Sequence, residues 1–451
     1  AYQLRRIGHG CTVFDDHEEL GGMMMYGIPG YRVPREVLNH EMNRLVEMGV
    51  EVKLNTRVGT DVSVEDLEKE YDAILWAIGC KEGRCLPIEG FEESPNCISG
   101  VAFLEAFNDG RLQVSSEKVV CVGGGDTSID VASVARRLGH ISNIAEKDFA
   151  ENVVLGHTAH DVADSANKDG AEVTLLSRAS IENMPAAQHE IDDALREGVT
   201  IIGCVSPVSV VRDDSGRATA LRVIKLEEDG KTPIEGSEYD IEATLIVSAI
   251  GQKGDMTGIE GLDNGNGFID GDAHYQVKGK PGHFLAGDIV RPHLLTTAIG
   301  QASIACETIH HYLTNKDEDL RKRPKVDKHY FSLEKKLDDT GLAPEASPVH
   351  GHDSTRGTSE ENFAIHNYEN RSSNDIISHD KLFLGHFAYE PRNKRDSIDV
   401  SSEEVLGHFA ERLVPLSEEQ VIAEAGRCMS CGMCFECDNC VIYCPQDAVK
   451  K

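Results

Sequence analysis

Six cysteines crowded near the end of the chain have the spacing of redox ligands. They are Cys428, Cys431, Cys434, Cys437, Cys440 and Cys444. The last four, followed by Pro445, reproduce the C-x2-C-x2-C-x3-C-P spacing of bacterial ferredoxins, in which three cysteines bind one cluster and the fourth ligates another. Four thiolates also bind zinc, but zinc motifs usually separate their cysteine pairs by a longer loop. The spacing therefore favours [4Fe-4S] clusters, with Cys428 and Cys431 as further ligands or as structural thiols beside a cluster.

A glycine cluster in the middle of the chain is typical of a phosphate-binding turn. The apolar run 119–122 ends at Gly123, and a helical pattern follows at once from Asp126 and Thr127. Gly123 permits a tight turn, Gly125 lets the backbone approach a pyrophosphate, and the first N–H groups of the helix attract phosphate oxygens. The same pattern also fits a strand–helix turn that binds nothing, so the choice between the two depends on the flanking sequence.

Strands and helices alternate on both sides of this turn, which predicts an α/β fold. A helix within 1–9 leads to a strand that ends at Asp15, where a carboxylate can hold an adenosine ribose; a solvated acidic turn is the alternative. Three later buried strands each end in glycine, at Gly79, Gly251 and Gly287. The loop 21–34 is glycine-rich and apolar, so it either covers core or lies against a flat ring. Residues 416–419 start a helix with a capping serine.

Composition limits the kind of protein this is. The chain has 451 residues, which suggests about three domains. A net charge of −32 argues against nucleic-acid binding, and no apolar run approaches the ~20 residues of a membrane span. No signal peptide opens the chain, and the scattered single cysteines suggest reduced thiols, so a cytoplasmic location is expected. The missing initiator Met, and the chain's stop shortly after Cys444, suggest that both ends are incomplete.

These motifs together resemble the small subunit of NADPH-dependent glutamate synthase and related flavoproteins. The resemblance covers 1–312 and 416–449, and its hallmarks are the 21–34 loop, the glycine turn, Met184-Pro185-Ala186, Ala249-Ile250-Gly251 and Ala286-Gly287-Asp288. It implies two nested Rossmann-like domains, an FAD domain split by an NAD(P)H domain, plus a C-terminal ferredoxin-like segment. The implied bounds are 1–112 and 246–315 for the FAD domain, 113–245 for the NAD(P)H domain and 416–451 for the iron–sulfur segment. A mixed charge run from Lys316 suggests that 316–415 is a linker or peripheral segment.

The resemblance also implies which residues hold the cofactors. Asp15 would hold the FAD ribose, and three residues would lie along the flavin: Gly22, Met23 and Arg32. The ribityl–pyrophosphate region would meet Asp288, with Thr297 near the isoalloxazine. The nicotinamide cofactor's pyrophosphate would lie against Gly123, Gly125, Asp126 and Thr127. The strand-ending glycines Gly79, Gly251 and Gly287 complete the expected cofactor-binding set.

The resemblance also implies that the preference for NADH or NADPH depends on the residues directly after the strand at 171–176. Arg178 matches an arginine that reads the 2′-phosphate of NADPH, but the second arginine that the family usually carries is replaced here by Ala179. No acidic residue that would select NAD stands there either. The pattern therefore leans slightly to NADH.

The C-terminal cysteine segment, following a flavoprotein body, looks most like the DsrL-type iron–sulfur flavoproteins associated with dissimilatory sulfite reductase. This implies an NAD(P)H:acceptor oxidoreductase that passes electrons through FAD and [4Fe-4S] clusters to or from a partner enzyme of sulfur metabolism, with no catalytic acid–base pair. An electron-input subunit of glutamate synthase, paired with its large subunit, is one alternative. A non-catalytic scaffold that keeps the fold is another, and homodimer formation also stays open.

Overall fold

The computed structural model describes residues 1–156, 168–315, 393–411 and 413–426. The helices are α1 (Tyr2–Arg6), α2 (Met23–Tyr26), α3 (Arg35–Glu47), α4 (Val64–Glu70), α5 (Gly100–Asn108), α6 (Asp126–Leu138), α7 (Ala150–Val154), α8 (Gln188–Arg196), α9 (Leu295–Asn315) and α10 (Glu418–Gly426). The strands are β1 (Thr12–Phe14), β2 (Glu51–Lys53), β3 (Ile74–Trp76), β4 (Glu82–Gly83), β5 (Cys97–Ser99), β6 (Lys118–Val122), β7 (Glu172–Leu176), β8 (Thr200–Ile202), β9 (Val205–Arg212), β10 (Ala218–Lys225), β11 (Tyr239–Glu242), β12 (Leu245–Ser248), β13 (Gln252–Lys253) and β14 (His283–Leu285).

A five-stranded parallel sheet in the order β5-β12-β6-β7-β8 forms the middle of the inserted domain. Side chains of a strand point alternately to its two faces, so a strand covered on both sides is apolar throughout. In β6, Val119 and Cys121 pack with α5, α6 and α8, whereas Val120 and Val122 pack against β9 and β10. The domain therefore has a helical layer, a parallel sheet and the antiparallel sheet β11-β10-β9.

Strand pairing extends the inserted domain beyond its expected bounds. β5 and β12 both pair in its parallel sheet, with Ile246 opposite Cys97 and Val120. The sheet therefore runs from Cys97 to Ser248, whereas the sequence had suggested 113–245. The reason is that β5 and β12 are short apolar strands that match either domain by composition, and only their neighbours decide between them.

The flanking half holds the two sequence pieces expected to form one domain. β1 pairs with β2 and β3 pairs with β14, both in parallel, and β4 pairs with β13 in antiparallel fashion. A separate core unites Trp76 on β3, Leu285 on β14 and Ala305 on α9. Parallel pairing across more than 200 residues, with Trp76 opposite Leu285, joins residues before and after the insertion. This agrees with the nested arrangement that the resemblance implied.

Residues 398–411 lie on the inserted domain, within the stretch 316–415 that the sequence suggested as a linker or peripheral segment. The N–H of Gly407 donates to the carbonyl of Arg137 at 2.8 Å, and Nε of Arg137 donates to the carbonyl of His408 at 3.0 Å. Val405 is buried. The mixed charge near Lys316 suggested a solvated stretch, and the apolar residues of this short segment gave too weak a pattern to show otherwise.

Residues 393–397 and 413–426 belong to a second compact unit. Helix α10 begins where the sequence predicted. The N–H of Gln420 donates to Oγ of Ser417 at 3.2 Å, and the N–H of Ser417 donates to Oε1 of Gln420 at 2.9 Å. This reciprocal pair is a capping box. Among the described residues, no helix combines the length and apolarity needed to cross a bilayer.

Candidate functional site

The glycine turn between β6 and α6 has one tightly packed glycine and one open glycine. A Cβ on Gly123 would lie 2.4 Å from the carbonyl oxygen of Ala249 and 3.0 Å from Cβ of Ser128. Nothing lies within 4 Å of the equivalent point on Gly125. Gly123 therefore lets the ends of β6 and β12 approach each other, while Gly125 leaves open backbone at the start of α6, as a bound pyrophosphate requires.

A loop after β7 closes one side of this turn. The N–H of Ala186 donates to the carbonyl of Gly124 at 3.0 Å, and the N–H of Ala187 donates to Oδ1 of Asp126 at 3.1 Å. The predicted phosphate residue Asp126 therefore holds the Met184-Pro185-Ala186 hallmark against the turn. Its carboxylate orders the protein backbone and contributes negative charge next to the helix start.

A cavity of about 190 Å³ lies at the joint between the inserted domain and the flanking half. Thr127, at the start of α6, lines one side of the cavity. Ser248 and Gly251 line it from the end of β12 and the residues that follow, and Pro292 lines it from the segment before α9. Gly251 has φ +117°, a conformation that favours glycine. Carboxyl ends of parallel strands are where α/β folds bind their ligands, and this cavity stands at that edge.

Arg178 is exposed directly after β7, beside the glycine turn. A Cβ on Gly124 would lie 3.0 Å from Oγ of Ser177, so the end of β7 touches the turn. Within the described residues, the Arg178 guanidinium makes no hydrogen bond or ion pair. Its charge is therefore available at the rim of the turn.

The predicted FAD residues at the ends of β3 and β14 come together. Gly79 (φ +62°) and Gly287 (φ +83°) end these neighbouring strands. The Sγ–H of Cys80 donates to the carbonyl of Asp288 at 3.2 Å. Oγ1 of Thr297 lies 2.8 Å from the ring Nδ1 of His293, and the backbone N–H of His293 donates to Oδ1 of Asp288 at 3.2 Å. Strand ends and the start of α9 therefore form one edge with open glycine backbone, which fits a dinucleotide.

A cluster of charges connects the end of β1 to this edge. Lys81 and Arg57 both pair with the carboxylate of Asp16. Asp15 accepts hydrogen bonds at Oδ1 from the N–H of His17 at 3.0 Å and from its ring Nδ1 at 3.1 Å. The expected ribose ligand Asp15 therefore lies at the same edge as Gly79, with its carboxylate fixed by His17.

The imidazole of His17 is held as a cation. Its hydrogen bond to Asp15, together with Glu105, raises the pKa of His17 to about 9, and the neighbouring Asp16 adds to this. The ring also stacks on Tyr26 with a centroid distance of 4.3 Å. Asp15, Asp16 and His17 are close enough together to surround a metal ion, and in the structure their side chains pair with one another and with Lys81 and Arg57. The cluster is thus an ion-pair network at the end of β1.

The glycine–methionine loop, residues 21–34, rests on the inserted domain. Gly22 is exposed at φ +51°, and Met23 begins α2 beside it. The Arg32 guanidinium pairs with the carboxylates of Asp130 and Glu190, on α6 and α8. Arg32 was expected along the flavin, and these contacts with the inserted domain are ones the resemblance did not predict. The six predicted cluster cysteines, 428–444, lie outside the described residues.

Fold and site define a two-domain dinucleotide-binding α/β protein. Residues 3–302 match the family model for pyridine nucleotide-disulphide oxidoreductases. The chain belongs to this family, and the predicted FAD/NAD(P)-binding α/β fold class is confirmed. The solved structure of FprA from Mycobacterium tuberculosis in complex with NADPH is similar in fold, with a TM-score of 0.52 at 17% identity over 70% of this chain and 80% of that one.

Curated relatives are subunits of redox enzymes. The chain is 32% identical over 326 residues to the beta subunit of NADP(+)-dependent formate dehydrogenase from Moorella thermoacetica, covering 69% of this chain and 42% of that one. It is 27% identical over 346 residues to the small chain of NADPH glutamate synthase from Escherichia coli, covering 69% of this chain and 65% of that one. The chain thus spans less than half of the formate dehydrogenase subunit.

Several site residues gave little signal in the sequence. Arg57 and Lys81 contact Asp16 across 41 and 65 residues, and Ser248 and Pro292 line the cavity from distant segments. Lys81 could have been found, because it follows a strand end and such ends share an edge in parallel sheets. The others are ordinary residues whose roles come only from tertiary contacts.

Two alanine substitutions in the glycine turn should separate folding from binding. We expect Gly123→Ala to lower the free energy of unfolding by about 1–3 kcal/mol, because its methyl group would overpack against Ala249. We expect Gly125→Ala to change the free energy of unfolding by less than about 0.5 kcal/mol. We expect the same substitution to raise the Kd for NAD(P)H roughly tenfold or more. Urea denaturation followed by circular dichroism, and calorimetric titration with each nucleotide, measure the two effects. Unchanged nucleotide affinity of the Gly125 variant would contradict the assignment.

Replacing His17 should remove a pH-dependent stabilisation. The folded-state pKa is raised, so the imidazolium stabilises the fold fully below its unfolded value of about 6.5, and this stabilisation is lost as the pH rises through about 9. We expect His17→Gln to lower the free energy of unfolding by about 2 kcal/mol near pH 6, a figure that allows for solvent screening of a partly exposed group. Near pH 10 we expect the substitution to change it hardly at all. The exposed His40 on α3 provides the control, since His40→Gln removes a histidine that takes no part in this ion-pair network. Denaturant midpoints at both pH values test this, and an equal cost at both would contradict it.

Proposed function

We propose that this chain is the flavin- and nucleotide-binding part of an NAD(P)H:acceptor oxidoreductase that exchanges electrons with a partner enzyme. The observation that supports this most directly is the cavity at the joint of the two halves. Thr127 reaches it from the nucleotide helix, and Pro292 reaches it from the segment that leads to Asp288 and Thr297. A nicotinamide ring bound there would stand between the two predicted cofactor sites.

The protein would provide binding and orientation. Open backbone at Gly125 and the start of α6 would hold the nucleotide pyrophosphate, and Asp15, Gly79, Gly287 and Asp288 would hold FAD. FAD, when bound, supplies an acceptor for the hydride of NAD(P)H and a donor of single electrons. Thr127 and the apolar side chain of Val101 line the cavity and would limit water around the reacting ring. No acid–base residue is required by this scheme.

Electrons would leave through the C-terminal cysteines. Cys434, Cys437, Cys440 and Cys444 have the donor chemistry and spacing of [4Fe-4S] ligands, with Cys428 and Cys431 as provisional members of the set. The finer proposal is a partner of dissimilatory sulfur metabolism, a sulfite reductase-type complex, which the cysteine run alone supports. The named relatives favour a second candidate, electron input to glutamate synthase. Co-purification with a large amidotransferase subunit would decide for the second.

Anaerobic titration of the full-length protein tests the electron path. We expect NADH or NADPH to bleach the flavin absorbance and to produce the EPR signal of reduced clusters. Cys437→Ser is the matched variant: it should keep the bleaching and lose signal from the cluster it ligates. Bleaching with no cluster signal in the wild type would leave a flavin dehydrogenase without the cluster path. A protein with bound FAD that neither nucleotide bleaches would contradict the proposal and favour the scaffold alternative.

Nucleotide preference should depend on Arg178. We propose a slight preference for NADH, because a single guanidinium at the rim of the turn gives one charge where paired arginines would give two. The relatives' names include both NADPH-dependent and NAD-dependent enzymes. Ala179→Arg should raise kcat/KM for NADPH about ten- to hundredfold, the effect of one charge-assisted hydrogen bond, and Arg178→Ala should lower it similarly. Neither should change kcat/KM for NADH by more than about twofold. Equal effects on both nucleotides would rule out a 2′-phosphate contact.

A further inference from the structure

Arg32 lies between two carboxylates of the inserted domain. Its guanidinium contacts Asp130 through Nη1 and Glu190 through Nη2. The side chains of Arg32, Asp130 and Glu190 are only 23%, 10% and 9% exposed. Asp130 stands one helical turn after Asp126, on the helix whose start forms the candidate nucleotide site. A contact to Asp130 therefore fixes where that helix begins relative to the loop.

The glycine–methionine loop is stiff enough to transmit this contact. Arg35 donates to the loop carbonyls of Ile28 at 2.7 Å, Met24 at 2.8 Å and Val33 at 3.1 Å. The three carbonyls are spread along the loop, with Met24 near its start, Ile28 in its middle and Val33 near its end. Arg32 and the predicted flavin-facing end of the loop are therefore held in one piece.

A second anchor ties the same loop to α5. Arg35 donates to Oδ1 of Asn108 at 2.8 Å, and Nδ2 of Asn108 donates to the carbonyl of Tyr26 at 2.8 Å. Asn108 is the last residue of α5, which follows β5 of the inserted sheet. The loop thus meets the inserted domain on α5 and on α6, and Arg32 carries the contact nearer the nucleotide site.

The charges make Arg32 hard to replace. One guanidinium faces two carboxylates, so its removal leaves two buried carboxyl groups without that counter-charge, while Nε2 of His189 still lies 3.3 Å from Glu190. The planar fork of arginine can reach both at once, whereas a lysine ammonium is a single point that engages one well. Neutralising Asp130 together with Arg32 removes the repulsion but does not restore the contact.

We propose that Arg32 is a positioning residue for hydride transfer, holding the nucleotide-binding helix α6 on the glycine–methionine loop so that nicotinamide and flavin meet. The inference rests on the proposed function, because positioning matters only if both cofactors bind. Arg32 contacts Asp130 and Glu190 and would act through them, without touching either reacting ring. Its loss should therefore misplace the nicotinamide more than it weakens nucleotide binding, which the glycine turn provides.

The test compares Arg32→Gln, Arg32→Lys and the double variant R32Q/D130N in the full chain. Arg44→Gln is the matched control, since Arg44 pairs with Glu41 on the exposed face of α3. Hydrogen exchange of the 21–34 amides, measured without FAD, reports the loop contact. Anaerobic stopped-flow flavin reduction, and the long-wavelength charge-transfer absorbance of nicotinamide on flavin, report the positioning. Fluorescence of Trp76, the one tryptophan, reports unfolding.

We expect faster loop exchange in Arg32→Gln and in R32Q/D130N, and unchanged exchange in Arg44→Gln. Flavin reduction should slow roughly ten- to hundredfold, as misplacement by about 1 Å can produce, with weaker charge-transfer absorbance and little change in nucleotide Kd. The rate of flavin reduction in Arg32→Lys should lie between the rates of the wild type and of Arg32→Gln. The double variant R32Q/D130N should be more stable to unfolding than Arg32→Gln, but its flavin reduction should remain slow. Wild-type rates in the double variant would overturn the inference and leave Arg32 with a structural role. If the wild-type flavin is not reduced at all, the proposed function fails, while the exchange comparison still decides whether Arg32 holds the loop.

Discussion

Buried guanidinium groups hold the glycine–methionine loop and the 398–411 segment on the inserted domain: Arg32 through carboxylates, and Arg137 through the carbonyl of His408. Arg137 makes two bonds of 2.6 Å to Glu197, with both side chains almost completely buried, and its guanidinium lies 4.4 Å from the ring centre of Tyr31. Arg32, the next residue of the loop, pairs with Asp130 and Glu190. Breaking such a pair costs about 3–5 kcal/mol because a charge is left buried without its partner. The relative placement of α6 and the loop is therefore strongly fixed, and the geometry of the candidate site depends on it.

The sheets determine where chemistry can occur. Parallel strands bring their carboxyl ends to one edge, and β3, β6, β12 and β14 all end at predicted cofactor residues. The close approach of Gly123 to Ala249 joins the glycine turn to the end of β12. The Asp16 ion pairs with Lys81 and Arg57 bring the end of β1 to the same region. A dinucleotide site in each half, with a cavity at their joint, follows from this convergence of strand ends.

The residues that could be predicted from sequence are those with strong local patterns. The apolar run before Gly123 and the periodic helix after it specify β6 and α6, and Ser417 with Gln420 specifies the start of α10. The sequence did not predict the antiparallel strands β9–β11. Strand β11 alternates between half-buried and exposed residues, but irregularities in the pairing of β10 with β9 interrupt that alternation in the longer strands. The contacts of Arg32 also had none, because they span 98 and 158 residues. Pairings of that range depend on the packed domains and leave no periodic trace.

The most direct test of this account is an experimental structure of the full-length protein with FAD and a non-reducible NAD(P)H analogue bound. We expect the analogue's pyrophosphate to lie on the backbone of Gly125. We expect the nicotinamide to lie in the cavity between Thr127 and Pro292, stacked on the flavin, with Arg32 still bound to Asp130. A nicotinamide far from this cavity, or a pyrophosphate held away from the glycine turn, would contradict the account.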